Sequence, residues 1–166
     1  MKKLFINALF GLIILLTSIS AQAITIGFGP VSQTVPAGTP INVDLTISGL
    51  GDFTAPSLST FDLDIFFDPG ILNFSSAAYG DLILGDQLDP FGFGSITATT
   101  PGVGTINLFE LSLDLPFDLE DFQAGDFTLA RLTFDTIGIR EYPPDEFCKS
   151  DYPHPFTILF YGRKIG

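Results

Sequence analysis

Short runs in which apolar and polar residues alternate, broken at intervals by Gly and Pro, constrain this chain more than any other feature. Ile41, Val43, Leu45 and Ile47 fall on one side of such a run, with Asn42, Asp44, Thr46 and Ser48 on the other. Phe61, Leu63, Ile65 and Phe67 form a second row opposite Asp62, Asp64 and Asp68; Ala130, Leu132 and Phe134 form a third, leaving Arg131, Thr133 and Asp135 to solvent. A period of two marks half-buried strands, and no convincing 3.6-residue apolar period longer than two helical turns follows Ile24. Covering a large apolar side chain contributes about 1.5–3 kcal/mol, which offsets chain entropy only where two sheets face each other. The expected fold is therefore all-β, a sandwich of two antiparallel sheets.

Turn chemistry separates the runs: Pro36-Ala37-Gly38, Gly49-Leu50-Gly51-Asp52, Asp68-Pro69-Gly70, Asp89-Pro90 and Pro101-Gly102-Val103-Gly104. The last of these predicts an antiparallel hairpin of Ser95–Thr100 with Thr105–Leu115. Along its second strand the apolar row passes from Ile106 and Leu108 to Phe109, Leu111, Leu113 and Leu115, which predicts a bulge or a strand buried on both sides. Asp118 to Gly125 is polar enough for a loop or one helical turn.

Charge is distributed unevenly. The chain carries 19 Asp and Glu against 7 Lys and Arg, for a net charge of -12. Between Ile24 and Ile139 there are 15 acids and one base, Arg131. Such a surface repels a phosphate backbone and excludes nucleic-acid binding. One Cys and one His cannot build a zinc site, a haem attachment or a disulfide framework. Met1 to Ala23 reads as a secretory signal peptide: Lys2 and Lys3, an apolar stretch from Leu9 to Leu16, and the small-residue site Ala21-Gln22-Ala23. The expected location is thus periplasmic, cell-surface or extracellular, with no stable membrane span after cleavage. Residues 140–166 differ from the body, with four acids, four bases, Cys148, His154 and three of the four Tyr. The expectation for this segment is an atypical tail, frameshifted or disordered, that displaces the last strand.

The run Phe61-x-Leu63-x-Ile65-x-Phe67-Asp68-Pro69-x-x-Leu72-x-Phe74, followed by Gly80, resembles the central strand, turn and next strand of cohesin-type domains. Val35-Pro36-Ala37-Gly38 with Ile41 to Gly49 looks like that family's opening strands, and Leu129 to Phe134 like its late strand. The motif has a physical basis, since Pro69 ends ladder pairing and Asp68 can accept backbone hydrogen bonds. The resemblance implies a jelly-roll sandwich related to carbohydrate-binding modules. It also implies kinship with exported bacterial proteins of the PEP-CTERM type, whose Pro-Glu-Pro sorting signal is absent here. The implied function is a non-catalytic binding module for a protein partner at the cell surface or in the extracellular matrix. The alternative is a polysaccharide-binding module linked to polysaccharide degradation.

No catalytic constellation is expected. His154 and Cys148 lie in the atypical tail, and Gly27-Phe28-Gly29, Gly92-Phe93-Gly94 and Gly102-Val103-Gly104 are turns rather than phosphate loops. No cofactor is expected apart from calcium, for which Asp81, Asp86, Asp89, Asp118, Asp121 and Asp126 are the candidate ligands, with Glu120 beside them, because Ca²⁺ takes six to eight oxygens. Asp62 and Asp64 read as the solvated face of a strand. Phe91, Phe93, Phe109, Phe117 and Phe122 are candidate sugar platforms, although core filling is the favoured role for Phe in a chain without Trp.

Overall fold

The computed structural model describes residues 23–137 with the backbone of 156–159 and 161–162. The signal-peptide reading, the change of composition at 140, and Cys148 and His154 all lie outside the described residues. Within them the chain forms ten strands and one short helix. In order these are β1 (Thr25–Gly29), β2 (Ser32–Val35), β3 (Pro40–Ser48), β4 (Thr60–Phe66), β5 (Leu72–Tyr79), β6 (Ser95–Gly102), β7 (Thr105–Ser112), α1 (Pro116–Phe122), β8 (Phe127–Thr136), β9 (Phe156–Leu159) and β10 (Tyr161–Gly162). One sheet runs β1-β3-β8-β5, the second β10-β4-β7-β6, and β2 pairs with β9. Every named pairing is antiparallel.

The alternating rows meet between the two main sheets. Ile41, Val43, Leu45 and Ile47 from β3 are buried, as are Ala130, Leu132 and Phe134 from β8, and Phe61 and Ile65 from β4. Leu63 and Phe67 complete their row as half-buried neighbours of that core. Phe134 sits at its centre, its ring edge-on to Phe67 at 5.2 Å and to Phe74 at 5.8 Å. In β8 the register slips between Leu45 and Thr46 of its neighbour, where Leu129 is the extra residue. The bulge turns both Leu129 and Ala130 inward.

The Asp68-Pro69-Gly70 turn forms as the sequence indicates: Asp68 Oδ1 accepts from Gly70 N at 2.8 Å, and its carbonyl accepts from Ile71 N and Leu72 N. The hairpin tip lies against this turn, Phe67 N donating to the Gly104 carbonyl at 3.0 Å. Gly104 has φ +72, and a Cβ there would stand 3.1 Å from the Phe67 carbonyl oxygen. One side of the sandwich is closed by Tyr79 of β5, whose hydroxyl donates to the Ala98 carbonyl of β6 at 2.6 Å.

The inward row of β7 does not switch. Its pairings with β4 and β6 run without a register shift, and Ile106, Leu108, Glu110 and Ser112 all point inward. Phe109 and Leu111 lie half-buried on the other side, the strand ends at Ser112, and Leu113 and Leu115 are exposed. Unbroken ladder geometry fixes the alternation here, and it places a Glu inside in preference to the more apolar neighbours. The polar stretch after it becomes α1, opened by Pro116 at its first position and anchored by the fully buried Leu119.

Candidate functional site

Two features of the second sheet concentrate chemistry. The first is its outer face. Residues directly opposite each other in the ladder share a side, so the rows Thr60–Leu111–Ile96, Asp62–Phe109–Ala98 and Asp64–Asn107–Thr100 cross β4, β7 and β6 on the surface. Ile96 is 50% exposed and Ala98 is also exposed, beside the half-buried Phe109 and Leu111. Asn107 Nδ2 donates to Asp62 Oδ1 at 2.7 Å and to Asp64 Oδ1 at 3.0 Å, holding two carboxylates beside this apolar ground. Asp62 and Asp64 thus form the polar side of a strand, as expected. The outer face of the first sheet is different. There Arg131 grips Asp44 through both guanidinium contacts, at 2.6 and 2.8 Å, and Thr133 donates to Asn42, so its central polar groups are satisfied internally.

The second feature is a group of carboxyls at the inner side of β7. The loop 80–94 brings Asp86 beside Ser95 of β6 and Glu110 of β7, and Asp89 acts through its charge on Glu110 and on Asp114, which precedes α1. Glu110 has no exposed surface, and its Oε2 has no hydrogen-bond partner. Ser95 Oγ donates to Glu110 Oε1 at 2.6 Å and lies 3.3 Å from Asp86 Oδ2. A hydroxyl has one hydrogen, so Asp86 Oδ2 is left with a weak contact. Burial drives the Glu110 carboxyl up to about 7; the Ser95 hydroxyl opposes this, while Asp86, through its charge and a carboxyl–carboxyl hydrogen bond, and Asp89, through its charge, add to it. Both oxygens of Asp114 are shielded from solvent and lack a close hydrogen-bond partner. Its pKa is raised by burial first and then by Asp89, with the Phe91 amide opposing and Asp118 and Asp86 reinforcing.

The structure separates the six acidic candidates. Asp81 is a clasp: Oδ1 accepts from Ile83 N at 2.8 Å and Leu84 N at 3.0 Å, and Oδ2 from Thr128 N at 3.0 Å. Burial works to raise its pKa, but these amides outweigh it and hold the carboxyl at about 2. Such a depressed group contributes stability above the unfolded pKa near 4, lost as pH falls through about 2. Melting between those pH values should therefore show a loss for the native chain that Asp81→Asn lacks; equal slopes for both would refute the clasp. Asp126 Oδ1 accepts from Gly49 N, and Asp121 is exposed. Asp86 lies beside Ser95 and Glu110, Asp89 acts through its charge on Glu110 and Asp114, and Asp118 acts on Asp114. Asp86 and Asp89 each have one oxygen tied by the loop, Asp86 to Leu88 N and Asp89 to Gly94 N, both at 2.9 Å. Gly80 lets this loop close on β5: it has φ +88, and a Cβ would lie 3.0 Å from Asp86 Cα.

Among the described residues, no three or more His, Cys, Asp or Glu side chains are grouped so that they could hold a metal ion. The rings also depart from expectation. Phe91, Phe93, Phe117 and Phe122 are exposed rather than core-filling, because they sit on the loop and helix outside the sandwich. Glu110 and Asp114 were not among the acidic candidates. The signal for Glu110 was its place at an inward position of an alternating strand.

No protein-family model matches the sequence, and no curated protein matches it. Solved structures do. A type II cohesin of Acetivibrio cellulolyticus, in a complex described as Cohesin-X-Dockerin, superposes with a TM-score of 0.51 at 20% identity, covering 69% of this chain and 71% of that one. A type II cohesin module from a cellulosomal adaptor scaffoldin of the same organism gives 0.51 at 20% identity, over 71% of each chain. A cohesin of Clostridium thermocellum, from a complex described as type I Cohesin-Dockerin, gives 0.50 at 15% identity, over 74% of this chain and 76% of that one. At these identities the likeness is one of fold: this chain is built as a cohesin-type β-sandwich.

Proposed function

We propose that this chain is a non-catalytic binding module, working outside the cytoplasm, that docks a protein partner on the outer face of the β4-β7-β6 sheet. The observation that carries the reading is the contrast between the two outer faces. One satisfies its central polar groups internally, and the other leaves Ile96 and Ala98 uncovered beside Asp62 and Asp64. An apolar patch with a polar rim is the ordinary anatomy of a protein interface. Structures of the same fold were solved as complexes with dockerins, which supports a partner of that kind. Its contact surface would present apolar side chains with Lys or Arg set to meet the two aspartates.

Immobilised chain should capture a defined protein from the exported proteins of the organism that encodes it. Ile96→Asp with Ala98→Asp should lower the affinity at least tenfold, about 1.4 kcal/mol, while moving stability by about 0.5 kcal/mol per exposed site. Asn42→Asp, on the other sheet, should leave capture intact. Equal capture by all three proteins would refute the assignment of the face.

A polysaccharide reading draws on the contact of Phe91 with Phe93 at 6.2 Å and with Phe122 at 4.8 Å on the surface. Phe91 and Phe122 are inclined at 73°, so these rings do not form one flat platform. Co-sedimentation with insoluble glucans, abolished by Phe93→Ala, would establish this reading in place of the first.

A further inference from the structure

Two carboxyls share one hydroxyl at the inner side of β7. Ser95 Oγ stands 2.6 Å from Glu110 Oε1 and 3.3 Å from Asp86 Oδ2, and it has a single hydrogen to give. Glu110 has no exposed surface, and its Oε2 has no hydrogen-bond partner. Asp86 Oδ1 is occupied by Leu88 N at 2.9 Å, which leaves Oδ2 with only the long contact to Ser95. No cation meets the pair, because Arg131, the only Lys or Arg among the described residues, is committed to Asp44 on the outer face of the other sheet. The surrounding elements add no positive charge. Asp89 of the same loop acts on Glu110, Tyr79 of β5 feels the charge of Glu110, and Asp114, itself near Asp118 of α1, feels Asp86 and Asp89. β6 carries no titratable side chain, and β4 brings Thr60, whose hydroxyl donates to the Glu110 carbonyl at 2.8 Å.

We infer that Glu110 and Asp86 hold one proton between them, and that this proton latches the loop 80–94 against the β6-β7 hairpin and makes the loop sensitive to pH. With the proton on Glu110 Oε2, that oxygen becomes a donor, and Asp86 Oδ2 gains the hydrogen that Ser95 cannot give it. Without the proton, two carboxylates face a single hydroxyl in an enclosed place, where like charges oppose double ionisation. Glu110 sits in a strand paired on both sides, whereas Asp86 sits on a loop, so it is the loop that yields. Loosening reaches the end of α1, because Gln87 of this loop takes Ala124 N on its Oε1 and Gln123 Nε2 on its carbonyl. The titration runs in the required direction: burial first, and then Asp86, raise Glu110 from 4.5 to about 7. A carboxyl raised on folding contributes stability that is full below about 4.5 and is lost progressively as pH rises through about 7. The latch is independent of the docking face, which lies on the opposite side of the same sheet.

The test uses the full chain and needs no ligand. Carbon-13 NMR of the Glu110 carboxyl should give a titration midpoint above about pH 6, and Asp86→Asn should lower that midpoint by about one unit. Between about pH 5 and pH 8 the unfolding constant of the native chain should rise about a hundredfold, read as a fall of several degrees in melting midpoint. Glu110→Gln, which offers a donor without a charge, should show no such fall. Over the same range the amides of Leu88 and Gly94, corrected for intrinsic exchange, should lose more protection than those of β3. A Glu110 midpoint below about pH 6, or equal pH slopes for the native chain and Glu110→Gln, overturns the latch. Asp86 is half-buried on the loop, so Asp86→Asn keeps the test decisive if Glu110→Gln misfolds. A Glu110 midpoint that Asp86→Asn leaves unmoved overturns the shared proton by itself.

Discussion

Phe134→Ala should lower the free energy of unfolding by about 3–5 kcal/mol, measured as a shift in denaturant midpoint at unchanged slope. The side chain has no exposed surface and lies on β8, between β3 and β5 of its sheet. Its ring is held edge-on by Phe67, from the turn after β4, and by Phe74 of β5, so it touches both sheets at once. Truncation loses the transfer energy of the ring and leaves a cavity, because two strand ladders fix its walls and limit collapse. Phe134→Leu, which keeps much of the volume, should cost about 1–2 kcal/mol. A loss below about 1 kcal/mol for the alanine variant would mean that the sheets do not pack face to face around this residue.

Gln123→Ala should be the most damaging polar substitution, at about 3 kcal/mol. Gln123 follows α1 and is almost fully buried. Its Nε2 donates to the carbonyls of Leu58 and Gln87, both at 2.9 Å, and its Oε1 accepts from Leu58 N at 2.6 Å. One side chain thus joins three stretches that lack regular pairing: the loop before β4, the loop before β6 and the end of α1. Gln87 answers in kind, its Oε1 accepting from Ala124 N at 2.8 Å. Each buried backbone group left without a partner costs about 1–3 kcal/mol, and some of that is recovered where water can enter. Hydrogen exchange should localise the effect, with the Leu58 amide losing protection while amides of β3 and β8 change only as much as global stability does. Loss spread evenly over all amides would argue against the staple.

Rows of one type were legible before any coordinates, and the exceptions have physical causes. Ile41 to Ile47 announced β3 because every inward residue is β-branched or Leu and every outward one is polar. The Asp68-Pro69-Gly70 turn announced itself through residues whose backbone preferences are strong. In β7 the hydrophobic pattern misled, because Phe109, Leu111, Leu113 and Leu115 outweigh Glu110 and Ser112 in apolarity. Ladder pairing to β4 and β6 leaves no room for a change of side, so the parity set by Ile106 and Leu108 carries through to Glu110. A charged residue at an inward position of a regular strand is where ladder parity overrides local apolarity. The acids showed a related limit. Asp81 and Asp86 look alike in sequence, yet one is filled by three amides and the other stands among carboxyls, because loop closure across Gly80 decides which donors each meets.

The cohesin-type architecture positions two different surfaces on one sheet, an inner side that gathers carboxyls and an outer side open to a partner. The outer side carries the functional reading, and amide hydrogen exchange tests it most directly. With the captured partner bound, slowed exchange should be confined to residues 60–66, 95–102 and 105–112, the strands β4, β6 and β7, with β1, β3 and β8 unchanged. Protection of β3 and β8 with β4, β6 and β7 unaffected would place the partner on the other face and contradict the account.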